Sequence, residues 1–80
     1  MQLEILTPEG NVFTGEAATV QLPGLDGLFQ ILNGHAPLIA ALDNGVVSIE
    51  TKGSTQTFDI KSGIVEVLNN KISVLTEGIA

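Results

Sequence analysis

The chain has 80 residues and carries 3 lysines, no arginine and 9 acidic residues, for a formal net charge of −6. So few cations exclude nucleic-acid binding, which needs phosphates neutralised, and disfavour docking on anionic lipid. The absence of cysteine removes disulfide staples and thiolate metal sites.

One small core is viable at this length, and an unstapled domain of this size often leans on a partner. No apolar run reaches the ~18 residues that a membrane helix needs. Met1–Leu6 has neither the basic stretch nor the amphipathic character of a leader. A soluble intracellular protein without direct membrane insertion is the expectation.

From the N-terminus, Gln2–Leu6 alternates, with Leu3 and Ile5 on one face and Gln2, Glu4 and Leu6 on the other. Thr7-Pro-Glu-Gly-Asn11 reads as a turn and Val12–Thr14 as the returning strand of a hairpin. Ala17–Leu22 is a further strand, ended by Pro23-Gly24. Pro37–Leu42 is a continuous apolar run, read as one buried strand. The Asp43-Asn44-Gly45 that follows is a strong hairpin signal.

Val46–Thr51 and Thr55–Ile60 alternate around a Lys52-Gly53-Ser54 turn. Ile64–Leu68 and Lys71–Thr76 flank Asn69-Asn70 as a last hairpin. Strands recurring every 8–10 residues with turns between them mark an antiparallel sandwich or barrel. No helical period is sustained. The expected fold is all-β, a single domain over residues 1–80 with essentially no helix.

Catalytic chemistry is poorly supplied. With one histidine and no cysteine, tyrosine or arginine, nucleophile–base systems reduce to four serines lacking an elbow motif. A zinc site would have only His35 and scattered carboxylates. Gly24-Leu-Asp-Gly27 matches the bare G-x-x-G of nucleotide clamps, but it carries Asp26 where a clamp needs positive charge, and a tight turn is the simpler reading. No cofactor, metal or small-molecule substrate is expected.

Pro23–Leu38 breaks the strand-and-turn rhythm and is expected to be neither. Leu28, Phe29, Ile31 and Leu32 cannot all face one core if the segment is extended, because side chains alternate. Either Leu28 and Leu32 or Phe29 and Ile31 point away from the core, under another element or in an exposed patch that marks a protein interface. His35 is either a buried or half-buried imidazole bonded to the loop backbone or an interface contact.

Two stretches are recognisable together. Leu3-Glu-Ile-Leu-Thr-Pro-Glu-Gly-Asn-Val-Phe-Thr-Gly-Glu-Ala17 is followed by Pro23-Gly-x-x-Gly-x-Phe-x-Ile-Leu-x-Gly-His-Ala-Pro-Leu38. In this they resemble the N-terminal domain of the epsilon subunit of rotary F-type ATP synthases, and Ser62–Leu75 is similar to the strand pair that closes that domain.

The resemblance implies a two-sheet β-sandwich of about ten strands. It further implies a non-catalytic rotor subunit of the central stalk that links the gamma subunit to the c-ring and couples proton flow to ATP synthesis. Such a subunit lies on the cytoplasmic face of a bacterial inner membrane as a peripheral part of the complex.

Residue by residue, the resemblance places Gly24, Asp26, Gly27 and Leu28 on the c-ring side and Thr7, His35 and Ala40 on the gamma side. Pro23, Gly34 and Pro37 are motif positions that shape the segment. Three departures stand out. Leu28 occupies a position where the family commonly has a carboxylate. Asn33 replaces the usual proline, which should loosen its turn. The chain ends at Ala80, where most relatives continue into a helical domain linked to inhibition and ATP binding, so neither property is expected of these residues. The alternatives are a stand-alone β-sandwich module that binds a ligand or peptide through the 23–38 loop, and a hydrolase built on His35 and a nearby carboxylate.

Overall fold

The alternating pattern becomes a layered structure strand by strand. In the computed structural model, which describes residues 1–80, β1 spans Gln2–Thr7, and Leu3 and Ile5 are fully buried while Gln2, Glu4 and Leu6 face outward. The other strands are β2 (Gly10–Glu16), β3 (Thr19–Gly24), β4 (Gly27–Leu32), β5 (Leu38–Leu42), β6 (Gly45–Thr51), β7 (Ser54–Ile60), β8 (Gly63–Leu68) and β9 (Lys71–Thr76). There is no helix. The count is nine rather than ten, because the tail after β9 contributes one bridge, Ile60 to Ile79, and no further strand.

Pairing runs β2-β1-β9-β8-β5-β3-β6-β7, with β4 added on the far side of β3. The path is nearly cut in one place: β5 and β3 share the single register pair Gly24 and Leu42. The network therefore folds into two layers, β2-β1-β9-β8-β5 and β4-β3-β6-β7, which is the expected sandwich. One pair departs from the antiparallel expectation, since β1 and β9 run parallel. Two strands from opposite ends of the chain need no tight turn between them, so turn signals could not reveal that pairing.

Asn44-Gly45 does not close a hairpin. Strand β5 pairs with β8, whereas β6 pairs with β7 and β3. The segment 38–51 instead passes from one layer into the other through a bend at Asp43-Asn44. Its neighbour 54–68 bends beside it at Lys61-Ser62. Strands that switch sheets through a bend are how sandwich corners are built. The two bends are tied by Asn44 Oδ1, which accepts the Ser62 N–H at 2.9 Å. Beside them the buried Thr76 hydroxyl donates to the Lys61 carbonyl and lies 3.4 Å from the Gly78 N–H.

The core fills from both layers. Leu3, Ile5, Ile72, Val74, Val65, Val67 and Leu42 come from the first, and Val20, Leu22, Ile31, Val47, Ile49 and Ile60 from the second. Phe13 on β2 meets Phe58 on β7 edge-to-face, with centroids 5.7 Å apart, so the two ends of the strand path touch. The accessible surface, 4557 Å², equals the ~4,600 Å² expected of a folded monomer of this mass.

Candidate interaction surface

The segment 23–38 is more regular than its sequence suggested. Gly24 and Gly27 bound a two-residue hairpin turn, and β4 pairs with β3 along its whole length, from Gly24 and Gly27 to Thr19 and Leu32. A side chain at Gly24 would sit 2.8 Å from the Gly27 carbonyl and 2.9 Å from the Phe29 ring. Glycine is therefore what lets Phe29 lie across the hairpin and brace its tip. The G-x-x-G pattern is this turn.

Alternation along β4 buries Ile31, half-buries Phe29 and exposes Leu28 and Leu32. Of the two pairs considered, Leu28 and Leu32 are the one that points away from the core. At the tip, Leu25 and Leu28 are 62% and 67% exposed and flank the acidic Asp26.

The apolar run at 38–42 is not buried on both faces. Leu42 is buried, but Ile39 is 71% exposed and Ala41 also faces out. The reason is alternation: Ile39 and Ala41 point to the outer face of the layer, which no other element covers. Register extends this surface across the sheet: Ala41 opposes Ile64, Ile64 opposes Leu75, and Leu75 opposes Leu6. Four neighbouring strands thus present one apolar row. The Leu25 N–H donates to Ala41 O at 3.3 Å, so the row ends against the hairpin tip. Between the tip and β5 lies an open cleft of about 470 Å³, lined by Gly24–Phe29 and Ile39–Ala41.

Ile39, Ala41, Ile64 and Leu75 escaped the sequence reading. The signal was present, because two opposite phases of a strand cannot both be core. In β8, Val65 and Val67 claim the inner face and leave Ile64 and Leu68 outside. In β9, Ile72 and Val74 do the same to Leu75. An apolar residue on the losing phase of several adjacent strands marks a surface to be covered.

Among the residues assigned by resemblance, Gly24, Asp26, Gly27, Leu28 and Ala40 come together around the cleft. Pro23 is buried at the same corner, and its carbonyl accepts the Asp43 N–H at 2.8 Å. Thr7 also lies at the corner end, where its hydroxyl is committed to its own turn, donating to Gly10 O and accepting from Glu9 N–H, both at 3.1 Å.

His35 lies at the opposite end of the strands. It is exposed rather than buried or half-buried, since the 33–37 loop runs over the surface, and its Nδ1 is 2.7 Å from Ala36 O. Gly34 in that loop donates its N–H to Asn70 Oδ1 at 2.9 Å, and Asn70 Nδ2 donates to Asn33 Oδ1 at 2.8 Å. Asn33 thus holds the loop to the β8–β9 turn through a side-chain bond that proline could not make, which offsets the expected loosening. Pro37 is exposed just ahead of β5.

No carboxylate is hydrogen-bonded to the imidazole, and no three acidic or histidine side chains cluster. The surface is equipped for contact.

A family model described as the beta-sandwich domain of the ATP synthase delta/epsilon chain matches residues 1–80. The ATP synthase epsilon chain of Chlorobium limicola is 46% identical over 80 residues, covering 99% of this chain and 91% of that one. The epsilon chain of Chlorobaculum tepidum is 48% identical over 79 residues, covering 98% and 90%. For that of Helicobacter pylori strain P12 the identity is 40% over 78 residues, covering 98% and 63%.

Two solved structures share the fold. A chain of the Tetrahymena thermophila mitochondrial ATP synthase central stalk and c-ring superposes with a TM-score of 0.83 at 17% identity, over 100% of this chain and 65% of that one. A chain of the Euglena gracilis mitochondrial ATP synthase OSCP/F1/c-ring assembly superposes at 0.90 and 18% identity, over 98% and 51%.

Proposed function

Because this chain belongs to the beta-sandwich family of the ATP synthase delta/epsilon chain, we propose that it is the epsilon subunit of an F-type ATP synthase, working in the central stalk. It is a non-catalytic subunit, peripheral to the membrane as part of that complex. Its partners in this reading are the gamma subunit and the c-ring, and it couples proton flow to ATP synthesis at the cytoplasmic face of a bacterial inner membrane.

The observation that carries the reading is the apolar row of Leu6, Leu75, Ile64 and Ala41 running into the hairpin tip at Leu25 and Leu28. An acidic chain that leaves such a row uncovered has a surface made for a protein partner. We assign the row to gamma, together with Ala40, which lies on the other face of β5 and lines the cleft. Thr7 and His35 at the two ends of the strands are reached by the same elongated partner lying along the sheet. The tip residues Gly24, Asp26, Gly27 and Leu28 are assigned to the c-ring. Leu28 makes that contact an apolar one, where relatives commonly place a carboxylate.

The tests separate the two faces. Ile64→Asp with Leu75→Asp should abolish co-purification with gamma while the melting curve stays close to that of the parent. Leu28→Asp should retain gamma and lower proton-driven ATP synthesis in the reconstituted enzyme, and His35→Ala should weaken assembly. Full co-purification by the double variant would refute the gamma face. Normal coupling by Leu28→Asp and His35→Ala would refute those assignments while leaving the family membership intact.

A further inference from the structure

Two of the five asparagines, Asn33 and Asn44, are followed by glycine. Such a pair can react with itself. Glycine has no Cβ to screen its nitrogen or restrict its backbone, so that nitrogen can reach the side-chain amide before it. Asn33 also stands where the sequences this chain resembles commonly have proline, so the 33–34 pair comes with that departure.

The two pairs sit in different surroundings. Asn44-Gly45 belongs to the corner. Asn44 Oδ1 accepts the Ser62 N–H at 2.9 Å, and the Asn44 N–H donates to Asp43 Oδ1 at 2.8 Å. Gly45 opens β6 opposite Ile60, and a side chain there would lie 2.8 Å from Pro23 Cβ. Strand pairing and packing leave its backbone no room to turn. Asn33-Gly34 lies instead in the exposed 33–37 loop. Gly34 has a φ of +81°, and nothing lies within 4 Å of where its Cβ would be.

One distant side chain holds this second pair. Asn70 Oδ1 accepts the Gly34 N–H at 2.9 Å, and Asn70 Nδ2 donates to Asn33 Oδ1 at 2.8 Å. These are the two groups that would have to react. The Gly34 nitrogen becomes a nucleophile only by losing its proton, and that proton is engaged. Turning the Asn33 amide toward Gly34 breaks the other bond.

We propose that Asn33-Gly34 is a self-modification site and that the Asn70 side chain is the guard that sets its rate. In the reaction Gly34 N gives up its proton and bonds to Asn33 Cγ. The Cγ–Nδ2 bond breaks, and ammonia leaves with that proton. Water then opens the cyclic imide at either carbonyl, leaving an aspartyl or an isoaspartyl residue at position 33. One water is consumed, one ammonia is released, and nothing is oxidised or reduced. Either product places a new negative charge near His35. The isoaspartyl product also carries the backbone through the side-chain carbon, which moves Gly34 and His35 off the positions that Asn70 holds.

Peptide mapping by mass spectrometry tests this, after long incubation of the folded protein in mildly alkaline buffer, with positions 33 and 44 followed in the same sample. The parent should convert at 33 before 44, and more slowly at 33 than in urea, where the clasp is absent. Asn70→Ala should speed conversion at 33 roughly tenfold, because the reaction no longer waits for the clasp to open, and should leave 44 unchanged. Asn70→Asp keeps an oxygen for the Gly34 N–H and should stay near the parent's rate.

Equal rates at 33 in the parent and Asn70→Ala overturn the guard. So does a rise at 44 in step with 33, which makes general loosening of the domain the cause. Asn70→Asp converting as fast as Asn70→Ala overturns the role of the Gly34 N–H bond. A folded parent that converts at 44 first, or at 33 as fast as in urea, overturns the site. The readout needs no partner, so each of these outcomes leaves the functional reading where it stands.

Discussion

Replacing Gly63 by alanine tests the corner on which the candidate surface is built. Gly63 opens β8 just past the Lys61-Ser62 bend and is paired on both sides, with Leu42 of β5 and Thr76 of β9. Its φ is outside the left-handed region, so the objection to alanine is space and not backbone conformation. An added Cβ would lie 2.1 Å from Leu75 O and 2.8 Å from Thr76 Cα, where ordinary contact begins at 3.4 Å. The oxygen belongs to a strand held on both flanks and cannot swing aside like a side-chain terminus.

Relief requires β8 and β9 to part at this end. One or two ladder hydrogen bonds lost at about 1 kcal/mol each, added to an overpacking cost of about 1–3 kcal/mol, make a loss of about 3 kcal/mol. A domain of this size loses roughly 4–8 °C of melting temperature per kcal/mol, so the melt should fall by about 12–24 °C.

Thermal unfolding followed by circular dichroism, together with the urea midpoint, measures it. Gly53→Ala is the control. Its φ of +70° is unfavourable for alanine but nothing lies within 4 Å, so only conformational strain of about 1 kcal/mol is expected. If Gly63→Ala melts within about 5 °C of the parent, or no lower than Gly53→Ala, the close approach of β8 and β9 is refuted. Because Ile64 and Leu75 flank the clash, the proposed assignment of the row to gamma expects Gly63→Ala to lose gamma more readily than Gly53→Ala does.

Two further substitutions probe the ties at the two ends of the strands. Thr76→Val should cost about 1–2 kcal/mol by leaving the Lys61 carbonyl of the partly buried bend without its donor, while Thr76→Ser keeps the bond and loses under about 1 kcal/mol; chemical denaturation reads both. Asn70→Ala removes the bonds to Gly34 N–H and Asn33 Oδ1, so hydrogen exchange at Gly34 should accelerate, and because Asn70 sits at φ 60° the added strain of about 1 kcal/mol should also lower the melt by roughly 4–8 °C. Unchanged exchange there would show that the His35 loop is held by something other than Asn70.

Local chemistry was legible in the sequence and strand partners were not. Leu3 and Ile5 declared the inner face of β1, and the turns at Pro8–Glu9, Lys52-Gly53 and Asn69-Asn70 all join hairpins. Asn44-Gly45 has the residues of a hairpin too. Which strand lies beside β5 is decided by what buries Leu42 and Val65 across the sheet, and no four-residue window contains that. The parallel union of β1 with β9 is invisible for the same reason.

The candidate surface was half legible. Alternation predicted that one pair on β4 must point out. Joining Ala41, Ile64, Leu75 and Leu6 into a row required the register of β5, β8, β9 and β1, residues 6 and 75 being far apart in the chain.

In the proposed role the subunit must pass a displacement from one partner to another without yielding, and the frame behind this surface is built to resist shear. Ala41 and Ile64 are each bonded into a ladder, and Leu75 is held between β1 and β8, so a force on the row is spread over several strands. The segments 38–51 and 54–68 run through the corner into the second layer, each with buried side chains on both sides of its bend: Leu42 with Val47 and Ile49, and Ile60 with Val65 and Val67. Shearing one layer over the other would drag those side chains through a close-packed core, where even small volume changes are resisted. The hairpin tip joins the same frame through Leu25 and Pro23, which bond to Ala41 and Asp43 on either side of Leu42. Partners touching the row and the tip are thus linked through backbone ladders and a shared core, with the two-residue tip as the only turn in the path.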